Sequence, residues 1–247
     1  AKTASMSARA VIKPNAIPGY RVMFLTPLSS QVKYVSTTYV KDFITTSPLY
    51  NAWVDTSCVQ AVFEKTFKSR GAILFSYASN DPDRIRGKSV EEIIFDEFQD
   101  CMADLVMDVI NETMTFGDFK ILCKTGTPKT SFGPLSVSWR KSSQAEWIIE
   151  CHHCTHGGKR TQNVPTFDYH LEKMIGPDVH ERPRSWGEVS EEHPAIVCWK
   201  CREPINPRNG RWRHRFPDRV LDHAGYHVPQ VILPHHVCKN DGNWALL

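Results

Sequence analysis

The chain has 247 residues, 41% hydrophobic and 23% charged, with a net charge of +3. That length suffices for one large domain or two smaller ones, and the charge is too small to argue for nucleic acid by itself. No apolar run reaches membrane-spanning length and "AKTASMSARAVIKPN" (1–15) lacks the apolar core of an export signal, so membrane-spanning and secreted classes are not expected. Eight cysteines without an export signal point to a reducing cytoplasmic setting, and to metal ligands before disulfides.

The opening stretch reads as a helix entered part-way, since it begins with Ala rather than Met. "YRVMFLTP" (20–27) follows as a buried strand. "SSQVKYVSTTYVKDFITTS" (29–47) reads as a helix capped by Ser29 or Ser30, although its β-branched residues are weak helix formers. "GAILFSYAS" (71–79), "VEEIIFD" (90–96) and "FKILCKTGTP" (119–128) are further short apolar runs closed by Pro, Gly or small polar residues. That is the pattern of strands covered on both faces. Met102, Leu105, Val106, Val109 and Ile110 recur at helical spacing, with Gly117 as a stop. Alternating strands and helices imply a parallel α/β sheet, which binds ligands at the carboxyl ends of its strands.

Two such ends carry chemistry. Asp96-Glu97 behind "IIF" has the form of a Walker B segment. One carboxylate, Asp96, would help hold Mg²⁺ beside the phosphates of ATP, and the next, Glu97, would orient and deprotonate the attacking water. The bland reading is a solvated acidic turn, and Glu91, Glu92 and Asp100 are read as surface charges under either. "TGTP" (125–128) can sense the γ-phosphate or simply punctuate a turn. A phosphate loop needs G-x-x-x-x-G-K-[S/T]. "RGKS" (86–89) fails, because Pro82 stands where the first glycine belongs and no helix opens after the first strand there. We therefore expect the phosphate loop to end immediately before Ala1, and the chain to be a fragment.

The second half differs in composition. All 11 histidines lie between His152 and His236, and every tryptophan except Trp53 lies at or after Trp139. We place a boundary there, giving 1–138 as the nucleotide-binding core, 139–224 as a Cys/His-rich insertion, and 225–247 as a strand and tail rejoining the core. "CHHC" (151–154) and "CWKC" (198–201) form two C-x₂-C pairs, so Cys151, Cys154, Cys198 and Cys201 are candidate ligands of a structural Zn²⁺. Their separation exceeds the usual ~15–20 residues, which implies a looped insertion such as 180–194. His152, His153 and His156 are read as surface histidines, Cys58, Cys101 and Cys123 as core, and Cys238 is unassigned. "RNGRWRHRFPDR" (208–219) suits a DNA-backbone surface through Arg208, Arg211, Arg213 and Arg215. The reading we favour is a strand with Trp212, His214 and Phe216 alternating against the arginines, whose exposed side could still contact DNA.

"RVMFLTPLSSQ" (21–31), "RIRGKSVEEIIFDEFQD" (84–100), "ILCKTGTP" (121–128), the two cysteine pairs, "GRW" (210–212) and "GYHVPQVILP" (225–234) occur in this order. The set resembles the large terminase subunit of tailed bacteriophages, in its zinc-containing, GpA-like branch, over nearly the whole chain. The resemblance implies a RecA-like P-loop NTPase sheet of the ASCE type with helices on both faces, carrying a zinc-ribbon-like insertion. It implies an ATPase that packages double-stranded DNA, using ATP, Mg²⁺ and Zn²⁺, with Asp96 on the metal side, Glu97 catalytic and Thr125, Gly126 and Thr127 as coupling motif. Arg84 or Arg86 would act on the nucleotide. The implied partners are portal protein, small terminase subunit and further copies of the chain, in the host cytoplasm and away from membranes. An endonuclease domain would belong to the parent protein. Two other readings stand: a DEAD-like nucleic-acid helicase, and a non-catalytic zinc or DNA-binding module on a degenerate nucleotide fold.

Overall fold

The computed structural model describes residues 2–77, 85–101, 120–166, 168–174, 196–207 and 209–229, with Met107, Ile110, Asn111, Thr113, Met114 and Ile232. The chain divides into two compact units, Ala1–Ser138 and Trp139–Leu247. Among the described residues no helix is long and apolar enough to cross a membrane.

The first unit is an α/β sheet. Helix α1 (Lys2–Ala16) leads into β1 (Arg21–Thr26), and β2 (Glu64–Thr66), β3 (Ala72–Tyr77), β4 (Glu92–Phe95) and β5 (Ile121–Lys124) follow. The order across the sheet is β2-β3-β1-β4-β5. β1, β3, β4 and β5 run parallel, while β2 is an antiparallel edge strand. The short, charged "EKT" of β2 carries no apolar alternation, which is why sequence pattern misses it. Alternate residues of the parallel strands fill two cores. Met23, Leu25, Ile93 and Phe95 lie on one face with Ile110 and Met114. Val22, Phe24, Ile73, Phe75 and Ile94 lie on the other with Ala10 and Val11 of α1. Burial on both faces is what makes these runs almost continuously apolar.

The helix expected over 29–47 is present as α2 (Ser29–Tyr34), a π-helical stretch Val35–Val40, and α3 (Lys41–Thr46). A short α4 (Pro48–Asn51) follows. The β-branched "VSTTYV" marks the wider π turn, where χ1 crowding disfavours a regular α-helix. The N-cap is Leu28 rather than Ser29 or Ser30, and its N–H is satisfied by the Gln31 side chain at 3.2 Å. Of the apolar positions expected to line the helix over 102–110, only Ile110 is among the described residues; it is helical and buried.

Glu92 corrects its surface assignment. It points with Ile94 toward α1, is 0% exposed, and is met by Arg9, by Lys13 at 2.5 Å and by the Tyr20 hydroxyl at 2.9 Å. Cys58 also departs from expectation: it is half-buried beside Asp55 and outside the core, whereas Cys101 is buried.

In the second unit, β6 (Ala145–His156) is the centre of an antiparallel sheet ordered β7-β6-β8, with β7 at Lys159–Asn163 and β8 at Gly210–His214. α5 (Pro134–Lys141) contains the division between the units, and α6 (Leu171–Met174) packs Met174 beside Ile149 and Ile196. In β8 the arginines are exposed while Trp212 and His214 are half-buried, as the alternation implies. Gly210 opposes Ile149, and any Cβ there would collide with the Trp147 indole, so this position admits only glycine. In the described part of the expected terminal strand, Tyr226 bridges Ala145 within this unit. Residues 180–194 and Cys238 lie outside the described residues.

Candidate functional site

β1, β4 and β5 end side by side, and their adjoining backbones are fixed to one another. The Asp96 N–H donates to Leu25 O at 2.9 Å, Thr125 N–H to Phe95 O at 2.8 Å, and Phe98 N–H to Thr125 O at 2.9 Å. The acidic pair thus meets the 125–127 turn at the carboxyl edge of the sheet. Asp96 is 3% exposed and accepts two hydroxyl hydrogen bonds, from Thr125 to Oδ1 at 2.9 Å and from Thr3 to Oδ2 at 2.7 Å. A carboxylate paired with a hydroxyl in this way offers hard oxygen donors of the kind Mg²⁺ takes. Glu97 is half-buried in a left-handed conformation, φ 55° and ψ 47°, and opens the single 3₁₀ turn Phe98–Asp100. The Glu97 carboxylate meets Gln99, whose Nε2 donates to Glu97 Oε2 at 2.5 Å.

Three residues at this edge are missed by sequence reasoning. Gln99 also accepts the Thr127 N–H at Oε1, 3.2 Å away. Lys2 and Thr3 open α1, with Lys2 Nζ 2.5 Å from Thr127 Oγ1 and Thr3 on Asp96. Their signal was Lys-Thr at the start of a helix. Of the expected nucleotide arginines, Arg86 is exposed in the turn at 85–87 and Arg84 lies outside the described residues.

The second unit gathers Cys151, Cys154, Cys198 and Cys201, all four sulfurs lying within 4.8 Å of one another. Cys151–Cys201 and Cys154–Cys198 are each 3.7 Å apart. Sulfurs on a tetrahedral Zn²⁺ with bonds of ~2.3 Å stand about 3.8 Å apart, so the thiols fit that ion. The β6 strand delivers the first pair and the tight turn closed by Arg202 N–H to Cys198 O, 3.0 Å, delivers the second. The Thr161 hydroxyl, 3.1 Å from Cys154 Sγ, brings that thiol down to about 7, while burial pushes Cys201 up to about 12. His152, His153 and His156 are exposed and outside the cluster.

The basic strand is partly engaged internally. Arg211 pairs with Glu150 at 2.6 Å and Arg213 bonds Gln162 at 3.2 Å, while Arg215 is exposed beside the Phe216 ring. Arg208 lies outside the described residues.

The family described as phage terminase large subunit gpA, ATPase domain, matches residues 5–216. The chain belongs to this terminase family. The match runs from α1 past both cysteine pairs and through β8. Among solved structures, the HK97 bacteriophage large terminase is 14% identical with a TM-score of 0.44, over 55% of this chain and 29% of that one. The large terminase ATPase domain of Thermus phage P74-26 is 16% identical with a TM-score of 0.45, over 64% of this chain and 63% of that one. A mutant of the same domain gives 15% and 0.46, over 64% of each chain. The terminase chain described here therefore spans less than two thirds of each of these proteins. No curated protein sequence matches it.

Proposed function

We propose that this chain is the nucleotide-hydrolysing part of a terminase motor that drives double-stranded DNA into a prohead. The observation that carries the reading is Asp96, buried at a strand end between the Thr3 hydroxyl of α1 and the Thr125 hydroxyl of the coupling turn, with Glu97 next to it. Lys2 would neutralise the β- and γ-phosphates, and Thr3 with Asp96 would hold Mg²⁺. Mg²⁺ bound there supplies charge neutralisation of the phosphate oxygens as the γ-phosphoryl group transfers. Glu97 takes the proton of the water whose oxygen bonds to the γ-phosphorus, while the bond to the ADP oxygen breaks. Thr125, Gly126 and Thr127, bonded to Asp96 directly and to Glu97 by way of Gln99, relay loss of the γ-phosphate, and Arg84 or Arg86 contacts nucleotide. The four cysteines hold a structural Zn²⁺. Arg215 is the best placed of the candidate DNA-contacting arginines, because Arg211 and Arg213 already have protein partners. Portal protein, small terminase subunit and further copies of the chain complete the machine, in the host cytoplasm.

The test is ATP hydrolysis by the full-length protein carrying Glu97→Gln. We expect a loss of about 10²–10⁴-fold in kcat with ATP still bound, the usual cost of removing a general base. Wild-type turnover in that variant would remove the mechanism and leave a non-catalytic module.

A further inference from the structure

We infer that Gln99 is a positioning residue that ties the Glu97 carboxylate to the coupling turn, so that the turn controls where Glu97 points. The inference rests on the nucleotide-hydrolysing reading above and deepens it. One amide does both jobs. Its Nε2 donates to Glu97 Oε2 at 2.5 Å and to Asp100 Oδ2 at 3.2 Å, and its Oε1 accepts the Thr127 N–H at 3.2 Å. A shorter Asn cannot span the same gap, and Glu lacks the donor that Glu97 requires.

The glycine of the turn explains how the amide gets in. A Cβ on Gly126 would collide with Gln99 Oε1 and press on Leu135. Gly126 has no left-handed φ to accommodate, so its lack of a side chain serves the close approach of Gln99 and not a special backbone conformation. The same turn receives Lys2 through the Thr127 hydroxyl, 2.5 Å from Nζ. A continuous line of polar contacts therefore runs Lys2–Thr127–Gln99–Glu97. A phosphate that draws Lys2 onto itself competes with Thr127 for that ammonium. Any resulting shift of the Thr127 backbone reaches Glu97 through a single side chain.

The test uses the full-length protein and steady-state ATP hydrolysis with separate measurement of kcat, KM and thermal melting. Gln99→Leu keeps the bulk and removes all three hydrogen bonds; Gln99→Glu keeps an acceptor for Thr127 but sets a carboxylate against Glu97. Both are expected to lower kcat about 10–100-fold, the scale of a misplaced catalytic group, with KM and melting temperature close to wild type. In a Glu97→Gln background, adding Gln99→Leu should cause no further loss, since a residue acting only through Glu97 has nothing left to position. Wild-type kcat in both single variants, a change confined to KM or melting, or a full multiplicative loss in the double variant would overturn the role of Gln99. If Glu97→Gln alone turns over normally, the hydrolytic reading itself has failed. The two failures are thus separable.

Discussion

Glu97 carries a Cβ in a region of backbone space that costs such a residue about 1–2 kcal/mol. Strain of this kind persists where the surroundings over-determine it, and here the flanking contacts do so. Phe98 is buried and its N–H is held by Thr125 O, while Asp96 is fixed from two sides. Stability and activity should therefore part company at this residue. Glu97→Gly is expected to leave unfolding free energy unchanged or raised by up to about 1 kcal/mol, since glycine relieves the strain but has more chain entropy to lose. Hydrolysis should be lost in the same variant. Urea denaturation decides it, and a clear destabilisation would mean the side chain contributes more through Gln99 than its backbone costs. Asp96 makes the opposite prediction. Thr125→Val keeps the shape but leaves a 3% exposed carboxylate with one hydroxyl partner, which should cost about 1.5–3 kcal/mol in the same assay. Equal stability would show that water replaces the lost hydroxyl.

At the scale of elements, the joint between α1 and β4 is ionic at its centre and apolar around it. Glu92 has no exposure, whereas Arg9 and Lys13 keep 38% and 23% of their side chains in solvent. Removal of the two cations would strand a fully buried carboxylate, so Arg9→Met with Lys13→Met should destabilise by about 3–5 kcal/mol. Glu92→Leu should cost less, because both cations can turn to water. Chemical denaturation of the three variants tests that asymmetry, and an equal or reversed order would refute it. Tyr20 adds a pH signature. Burial first and the Glu92 charge second raise its hydroxyl above the ordinary tyrosine value. Above pH ~10 the unfolded chain releases this proton while the folded one keeps it, so stability falls with rising pH, by at most about 1.4 kcal/mol per unit. Below that pH both states hold the proton and Tyr20 contributes no slope. Tyr20→Phe should flatten the alkaline limb of the stability profile, and an unchanged limb would assign it to other groups. The sequence shows why these elements exist but not how they are joined. Apolar runs of strand length announced β1, β3, β4 and β5, since burial on two faces leaves a local record. Glu92 reads as one more acidic residue, because nothing within an apolar run tells of cations on a helix far away in sequence. Gln99 was illegible for the same reason: it acts through Thr127, which the parallel pairing of β4 and β5 brings near.

On the scale of the whole molecule, two units rest on different chemistry. The first has a conventional apolar core on both faces of a sheet. Among the described residues the second packs Ile149, Met174 and Ile196 with partly buried neighbours, next to four converging thiols. The cysteine pairs were legible because a knuckle is a local motif, while the segment that joins them left no pattern to read. A Zn²⁺ held by these thiols would contribute directly to the folding of this unit. The tryptophans make this observable: all except Trp53 belong to the second unit. Trp199 adjoins Cys198, stacks on His170 at 4.9 Å and donates its Nε1–H to Gln162 O at 3.0 Å. We expect about one Zn²⁺ per chain by elemental analysis. Chelation should shift tryptophan emission to the red and lower the melting temperature, and Cys151→Ser or Cys198→Ser should each cost on the order of several kcal/mol. ATP binding should persist in the metal-free protein, because Lys2, Thr3, Asp96 and Glu97 all lie in the first unit. Unchanged emission and melting after complete zinc removal would show that the thiols cluster without holding the fold. Loss of ATP binding on chelation would instead make the metal a condition for the motor site itself.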